Sequence, residues 1–304
     1  MKYKVIIALG LTILLWASAF AGIRVALQHY SPSHLAVSRF LIASLLLAIL
    51  ALFKRTHLPE PADLPRIIVA GFLGIAAYNI ALNYGELTVT AGAASFIVNT
   101  VPIFTTLLSL FFLREQVNRF GWLGMAVSFA GVSLIAIGEG GGLQFSMGAV
   151  AILCAALFQG LYFVLQKPLL EKYGAFTVVS YAIWAGTFAM LVLLPGLAQQ
   201  ITAAPASANM AVLFLGVFPS IIGYLCWSYV LSQMPASRAS IFLYLVPVIA
   251  IGVAFVWLRE IPSHLSLVGG VGALSGVILV NTLGKAQPTK SFGRAGEPAT
   301  TCCP

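Results

Sequence analysis

The chain has 304 residues, 60% of them hydrophobic and 8% charged. A soluble globular domain carries about 25% charged residues, so this composition excludes one and indicates a chain whose solvent is lipid. The net charge of +8 would suit a nucleic-acid binder only if the cations shared one face. They fall between apolar runs instead and mark topology.

Ten apolar runs of about 20 residues, the length a helix needs to cross a bilayer, lie near 5–27, 35–53, 66–86, 91–113, 120–138, 147–167, 174–195, 210–231, 238–258 and 264–283. None alternates with the two-residue period of a membrane strand, which excludes a β-barrel. Span 1 follows Lys2 and Lys4 and contains Ala17-Ser18-Ala19, the pattern of a cleavable secretory signal. Span 6 matches it at an offset of 138 residues (Gly148 with Gly10, Phe158 with Phe20, Gly160 with Gly22), so span 1 is expected to be retained. Lys54 to Pro65 is a short, basic, proline-rich connector, and Gln199 to Asn209 is a loop rich in Ala and Ser. Residues 285–304 lose hydrophobicity and are expected to form a disordered cytoplasmic tail.

A longer repeat organises the chain. Ala91 to Ile135 and Ala236 to Val280 align without a gap at an offset of 145, sharing A-x-x-A-S, V-P, L-R-E and G-x-x-x-x-x-x-G-V-x-L. Five spans per copy is an odd number, so the second copy enters the bilayer from the opposite side. With a cytoplasmic N-terminus, thirteen of the 16 Lys and Arg residues lie on the cytoplasmic side, Arg259 lies outside, and Arg24 and Arg39 lie within spans. That bias is the positive-inside pattern and places both termini in the cytoplasm. The expected architecture is an all-α integral membrane protein of ten transmembrane helices, built as two inverted five-helix repeats over 1–143 and 144–284.

The motifs carrying a family resemblance are Leu14 to Phe20 (L-L-W-A-S-A-F), Ser38 to Leu41 (S-R-F-L), the A-S…P…L-R-E blocks ending at Glu115 and Glu260, and the Gly-rich blocks behind them. On these residues the chain resembles the EamA-type drug/metabolite transporter superfamily, over essentially residues 5–283. The resemblance implies two EamA repeats and a central cavity lined mainly by spans 1, 3, 4, 6, 8 and 9. It also implies export of metabolites, amino acids or drugs through the inner membrane.

Polar groups deep in spans are costly unless they face protein or a wet cavity. Asn79 and Asn83 stand four apart on one helix face, and their mates 145 residues on are Tyr224 and Ser228. Ser95 and Asn99 repeat the spacing, with mates Ser240 and Tyr244, while Gln159 and Tyr162 share a face of span 6. Trp16 and Trp227 add aromatic surface. These twelve residues are the expected substrate-binding set; interhelical hydrogen bonding without a ligand is the alternative for any one of them. Pro102 and Pro247, a matched pair at midspan, are expected hinges. Arg24 and Arg39 are read as an outer gate or anion contact, or as cations snorkelling or pairing with Glu86, and Arg39 belongs to a span the family places behind the cavity.

No carboxylate or histidine falls at midspan, which argues against a proton relay. Neither a Gly-x-x-x-x-Gly-Lys phosphate loop nor a metal-spaced His/Cys/carboxylate cluster is present, so no cofactor, metal or catalytic residue is expected. The expected function is export of small amphipathic metabolites (amino acids including aromatic ones, or drugs) from a multi-pass inner-membrane position by facilitated alternating access. The partners are then a small molecule and lipid, with no nucleic acid, and a monomer suffices. The alternatives are an organic anion or sugar-phosphate carrier and, from another class, a membrane-embedded enzyme or lipid-handling scaffold.

Overall fold

A computed structural model describes residues 3–54, 58–89, 91–138, 147–250 and 263–283. The expectations for Arg259, Glu260, the second half of span 9 and the tail lie outside the described residues. Among those described, all regular structure is helical: α1 (Tyr3–Leu27), α2 (Pro32–Phe53), α3 (Leu64–Gly85), α4 (Ala91–Val98), α5 (Val101–Phe112), α6 (Arg119–Gly138), α7 (Met147–Met190), α8 (Leu197–Ala203), α9 (Ala206–Gln233), α10 (Ala236–Ala250) and α11 (His264–Leu283). Among them are six stretches long and apolar enough to cross a bilayer. Large apolar side chains such as Leu45, Phe111, Phe188 and Val271 are exposed on their outer faces, as lipid contact requires.

Three departures from the expected elements have local causes. Spans 6 and 7 run together as α7, and the chain turns at Gly174, whose φ of 76° only glycine adopts freely. The loop after span 7 contains a helix, α8, started by Gly196 at φ 89° and closed before Pro205. The kink expected at Pro102 falls earlier: helix stops at Asn99–Thr100, and Pro102 occupies the first turn of α5, where its missing N–H is harmless. The equivalent point of α10, 145 residues on, is a 3₁₀ turn over Phe242–Tyr244 just ahead of Pro247.

Glycines set the tight contacts. An added Cβ on Gly71 would lie 2.3 Å from the Ala182 carbonyl oxygen, and one on its mate Gly216 would lie 2.8 Å from the Arg39 carbonyl oxygen. So α3 packs on the second half of α7, and α9 packs on α2. Each half of the chain therefore leans on the other. Helices α6 and α11 also pack closely: Gly124 meets Gly276 and Val280, while Gly131 meets Gly269 and Ala273. Contact positions that rise along one helix fall along the other, so the pair is antiparallel. Ser128 donates from Oγ to the carbonyl of Ala273, its own mate in the repeat, at 3.1 Å.

The L-R-E block of the first repeat has a structural reading. Arg114 ends α5 in the left-handed region at φ 52°. Glu115 then reaches the start of α10, where Oε1 accepts the Ala236 N–H at 2.7 Å and Oε2 accepts the Ser237 N–H at 2.9 Å and its hydroxyl at 2.5 Å. A carboxylate there satisfies orphan N–H groups and complements the helix dipole. A second clamp ties the 58–63 segment to α7. Lys172 pairs with Glu60 at 2.6 Å and Asp63 at 2.8 Å, and the Tyr173 hydroxyl donates to Asp63 at 2.6 Å. The hydrogen bond from Lys172, seconded by that from Tyr173, holds the Asp63 carboxyl below the usual carboxylate range. The same bonds to Asp63 and Glu60 raise the Lys172 ammonium above its ordinary value.

Candidate functional site

Helices α3 and α9 each contain one π-helical turn, over Phe72–Ala77 and Phe218–Gly223. A π turn shifts the hydrogen-bond ladder, and such turns often sit at functional sites. Side chains take up the disturbed carbonyls: Asn79 Nδ2 donates to Ile75 O at 2.8 Å, Tyr224 Oη to Gly74 O at 3.3 Å, and Trp16 Nε1 to Pro219 O at 3.4 Å. The two turns start 146 residues apart, one off the repeat spacing, and each ends beside a matched polar position, Asn79 in one copy and Tyr224 in the other.

These residues border a partly open cleft, whose empty space with the open solvent at its mouth included is about 680 Å³. Its wall is aromatic and apolar (Trp16, Phe20, Ile23, Tyr78, Leu82, Phe163, Leu243) with Asn79, Asn99, Gln159, Tyr224 and Arg39 set into it. Trp16 is the hub, 5.6 Å from Tyr224 edge-on, 5.6 Å from Trp227 and 6.2 Å from Phe163 in parallel stacking.

Of the twelve expected binding residues, Trp16, Asn79, Asn99, Gln159 and Tyr224 converge on this space. The other seven lie outside its wall. Asn83 donates to Pro32 O at 3.0 Å and so joins α3 to α2. Tyr162 is buried behind the wall because Gly74 leaves room for its ring. Trp227 is fully buried behind Phe163, 4.8 Å away. Ser228 donates to Gln166 Oε1 at 2.9 Å and Ser240 to Ser237 O at 3.1 Å. The Ser95 carbonyl receives Asn99 Nδ2 at 2.6 Å, and Tyr244 is fully buried beside the lining residues Leu243 and Val246. Pro102 and Pro247 are likewise buried and outside the wall.

The cations exchange the places expected of them. Arg24 is exposed and outside the wall, whereas Arg39 is 4% exposed and lies in it. Arg39 Nε donates to Ser220 Oγ at 3.1 Å, and its guanidinium stands 5.1 Å from the Phe40 ring centroid. The family resemblance sets span 2, and Arg39 with it, behind the cavity; in the structure the Arg39 side chain, held at Nε by Ser220, lies in the wall. Phe20 and Phe163 were not singled out, because apolar residues in an apolar span carry no contrast. The π turns had one visible trace, Gly71 and Gly74 recurring as Gly216 and Pro219.

The EamA-like transporter family matches the chain twice, over residues 3–137 and 146–282. The chain belongs to this family. Among its relatives, the uncharacterized transporter YdfC of Bacillus subtilis is 44% identical over 274 residues, 90% of each chain. A probable terminal-alkyne amino-acid exporter of Streptantibioticus cattleyicolor is 41% identical over 293 residues, 96% of this chain and 98% of that one. One crystal structure shares the fold with a TM-score of 0.75 over 93% of this chain and 98% of its own, at 17% identity. This EamA-family chain is therefore a multi-pass membrane transporter of small molecules, not an enzyme.

Proposed function

We propose that the chain exports amino acids, aromatic ones included, and related amphipathic metabolites across the inner membrane by facilitated alternating access. The observation that carries this reading is the cavity, whose aromatic wall holds Asn79 and Asn99 from one half and Gln159 and Tyr224 from the other. Such a wall packs an apolar side chain while amides and a hydroxyl meet a polar head. The exporter relative supports the substrate class. The matched π turns, the reciprocal packing of α3 and α9, and the antiparallel α6–α11 pair support two inverted five-helix repeats over 1–143 and 144–284; the ten apolar runs and the bias of Lys and Arg support ten spans with both termini cytoplasmic.

Among the described residues no carboxylate or histidine lines the cavity, which favours transport down a gradient over proton coupling. Counterflow of labelled phenylalanine in proteoliposomes, with and without a pH gradient, tests the proposal: saturable exchange that ignores the gradient is expected. Uptake that needs the gradient overturns the facilitated mechanism, and absence of exchange overturns the substrate class. Arg39 in the wall favours one second reading, an organic anion carrier, for which hydrocinnamate would exchange faster than phenylalanine.

A further inference from the structure

The guanidinium of Arg39 is under-used by the protein. It is 4% exposed, and its hydrogen bond among the described residues goes from Nε to Ser220 Oγ. A guanidinium carries five N–H donors in a fork, so the four on the terminal nitrogens are left for something else. An ionised group inside a membrane protein is costly without a counter-charge and hydrogen-bond partners. Glu86 is the acid that interacts electrostatically with it and with Arg24, and among the described residues neither arginine makes an ion pair with it within 4.0 Å. Arg24 is exposed, so the buried positive charge beside the cavity is that of Arg39, which has no ion-pair partner among the described residues. Across the same wall, Gln159 Oε1 is a buried acceptor with no donor among the described residues.

We propose that Arg39 is the carboxylate anchor of the transport site, its two terminal nitrogens forking onto the substrate carboxylate while Gln159 Oε1 accepts from the substrate ammonium. This rests on the amino-acid reading above and deepens it to a requirement for a free carboxylate. The fork matches a carboxylate's two oxygens, and such charge-assisted pairs are strong and geometrically selective. Ser220 holds Nε and thereby aims the fork, and Phe40 supports the guanidinium. Trp16 and Phe163 then receive the side chain.

The experiment uses the full chain purified in detergent and in proteoliposomes, with phenylalanine, phenylalaninamide, phenethylamine and hydrocinnamate as probes. In wild type, the two carboxylates should raise the melting temperature and compete in phenylalanine counterflow at least tenfold better than the amide and the amine. Arg39→Gln should raise the KM for phenylalanine about tenfold or more and abolish the preference for carboxylates, the expected loss for one forked charged contact. Arg39→Lys should fall between, and Ser220→Ala should weaken binding a fewfold while keeping the preference. If Arg39→Gln does not fold, the wild-type panel and Arg39→Lys still decide. A wild type indifferent to the carboxylate, or a folded Arg39→Gln that keeps the preference, overturns the anchor. If phenylalanine does not exchange but hydrocinnamate still gives an Arg39-dependent melting shift, the anchor stands and the amino-acid reading fails.

Discussion

Trp16 shows how much one side chain depends on a missing one. A Cβ at Gly223 would lie 2.7 Å from Trp16 Nε1, closer than atoms tolerate, and the indole has no flexible end to move aside. Gly223→Ala should therefore push the ring toward the cavity and lower counterflow several-fold, with an overpacking cost of about 1–3 kcal/mol; intrinsic tryptophan fluorescence would report the displacement. Asn83→Ala should behave differently from Asn79→Ala. Losing the Asn83 bond to Pro32 O removes a buried tie between α3 and α2 and costs about 0.5–1.5 kcal/mol of stability, read by thermal denaturation in detergent, with the KM unchanged. Asn79→Ala should instead change the KM. The four-residue spacing put both asparagines on one face, and that much was legible in the sequence. It could not say which one the neighbouring helix would claim, because that depends on where the start of α2 falls. Trp16 and Trp227 divide in the same way: both were visible as aromatics, and only packing shows that Trp16 lines the cavity while Trp227 is buried behind Phe163.

The elements end where chemistry demands, and two of these ends are testable. Glu115→Ala removes the cap on α10 and should cost about 0.5–2 kcal/mol, measured as a lower melting temperature that Glu115→Asp partly restores. The clamp of Glu60 and Asp63 on Lys172 has a definite pH signature. Asp63 is held below its ordinary 3.8, so its contribution is complete above that value and disappears as the pH falls through its lower folded value. Lys172 is raised above its ordinary 10.5, so its contribution is complete below that value and is lost as the pH rises through its higher folded value. Between those limits the contributions of Asp63 and Lys172 should not vary with pH; a pH series of melting temperatures on wild type and Lys172→Ala checks it. Helix existence was legible from hydropathy, and the first L-R-E block announced a stop. The break before Pro102 was not legible, because proline is compatible with both a mid-helix kink and a helix start.

Across the molecule, the repeat of A-S, V-P and Gly-x6-Gly pairs α4 and α5 with α10, and α6 with α11, by position in the sequence. It did not reveal that α3 would lean on α7 and α9 on α2, since contacts between halves leave no periodic trace within either. The proposed exchange of the halves predicts a pattern of distances. Spin labels on α5 and α10 near Glu115 and Ala236 should show two separations whose populations shift with added phenylalanine; a single unchanging distance would remove that contact from the transport cycle.

Ser128 lies against Ala273, its own counterpart. A rearrangement that trades the roles of the two halves carries this pair onto itself, so its spacing is the same before and after. The α6–α11 seam then acts as an axle, held by backbone contacts too tight for any side chain, around which the rest can turn. Substitutions that loosen it should blur both end states equally, without favouring either one.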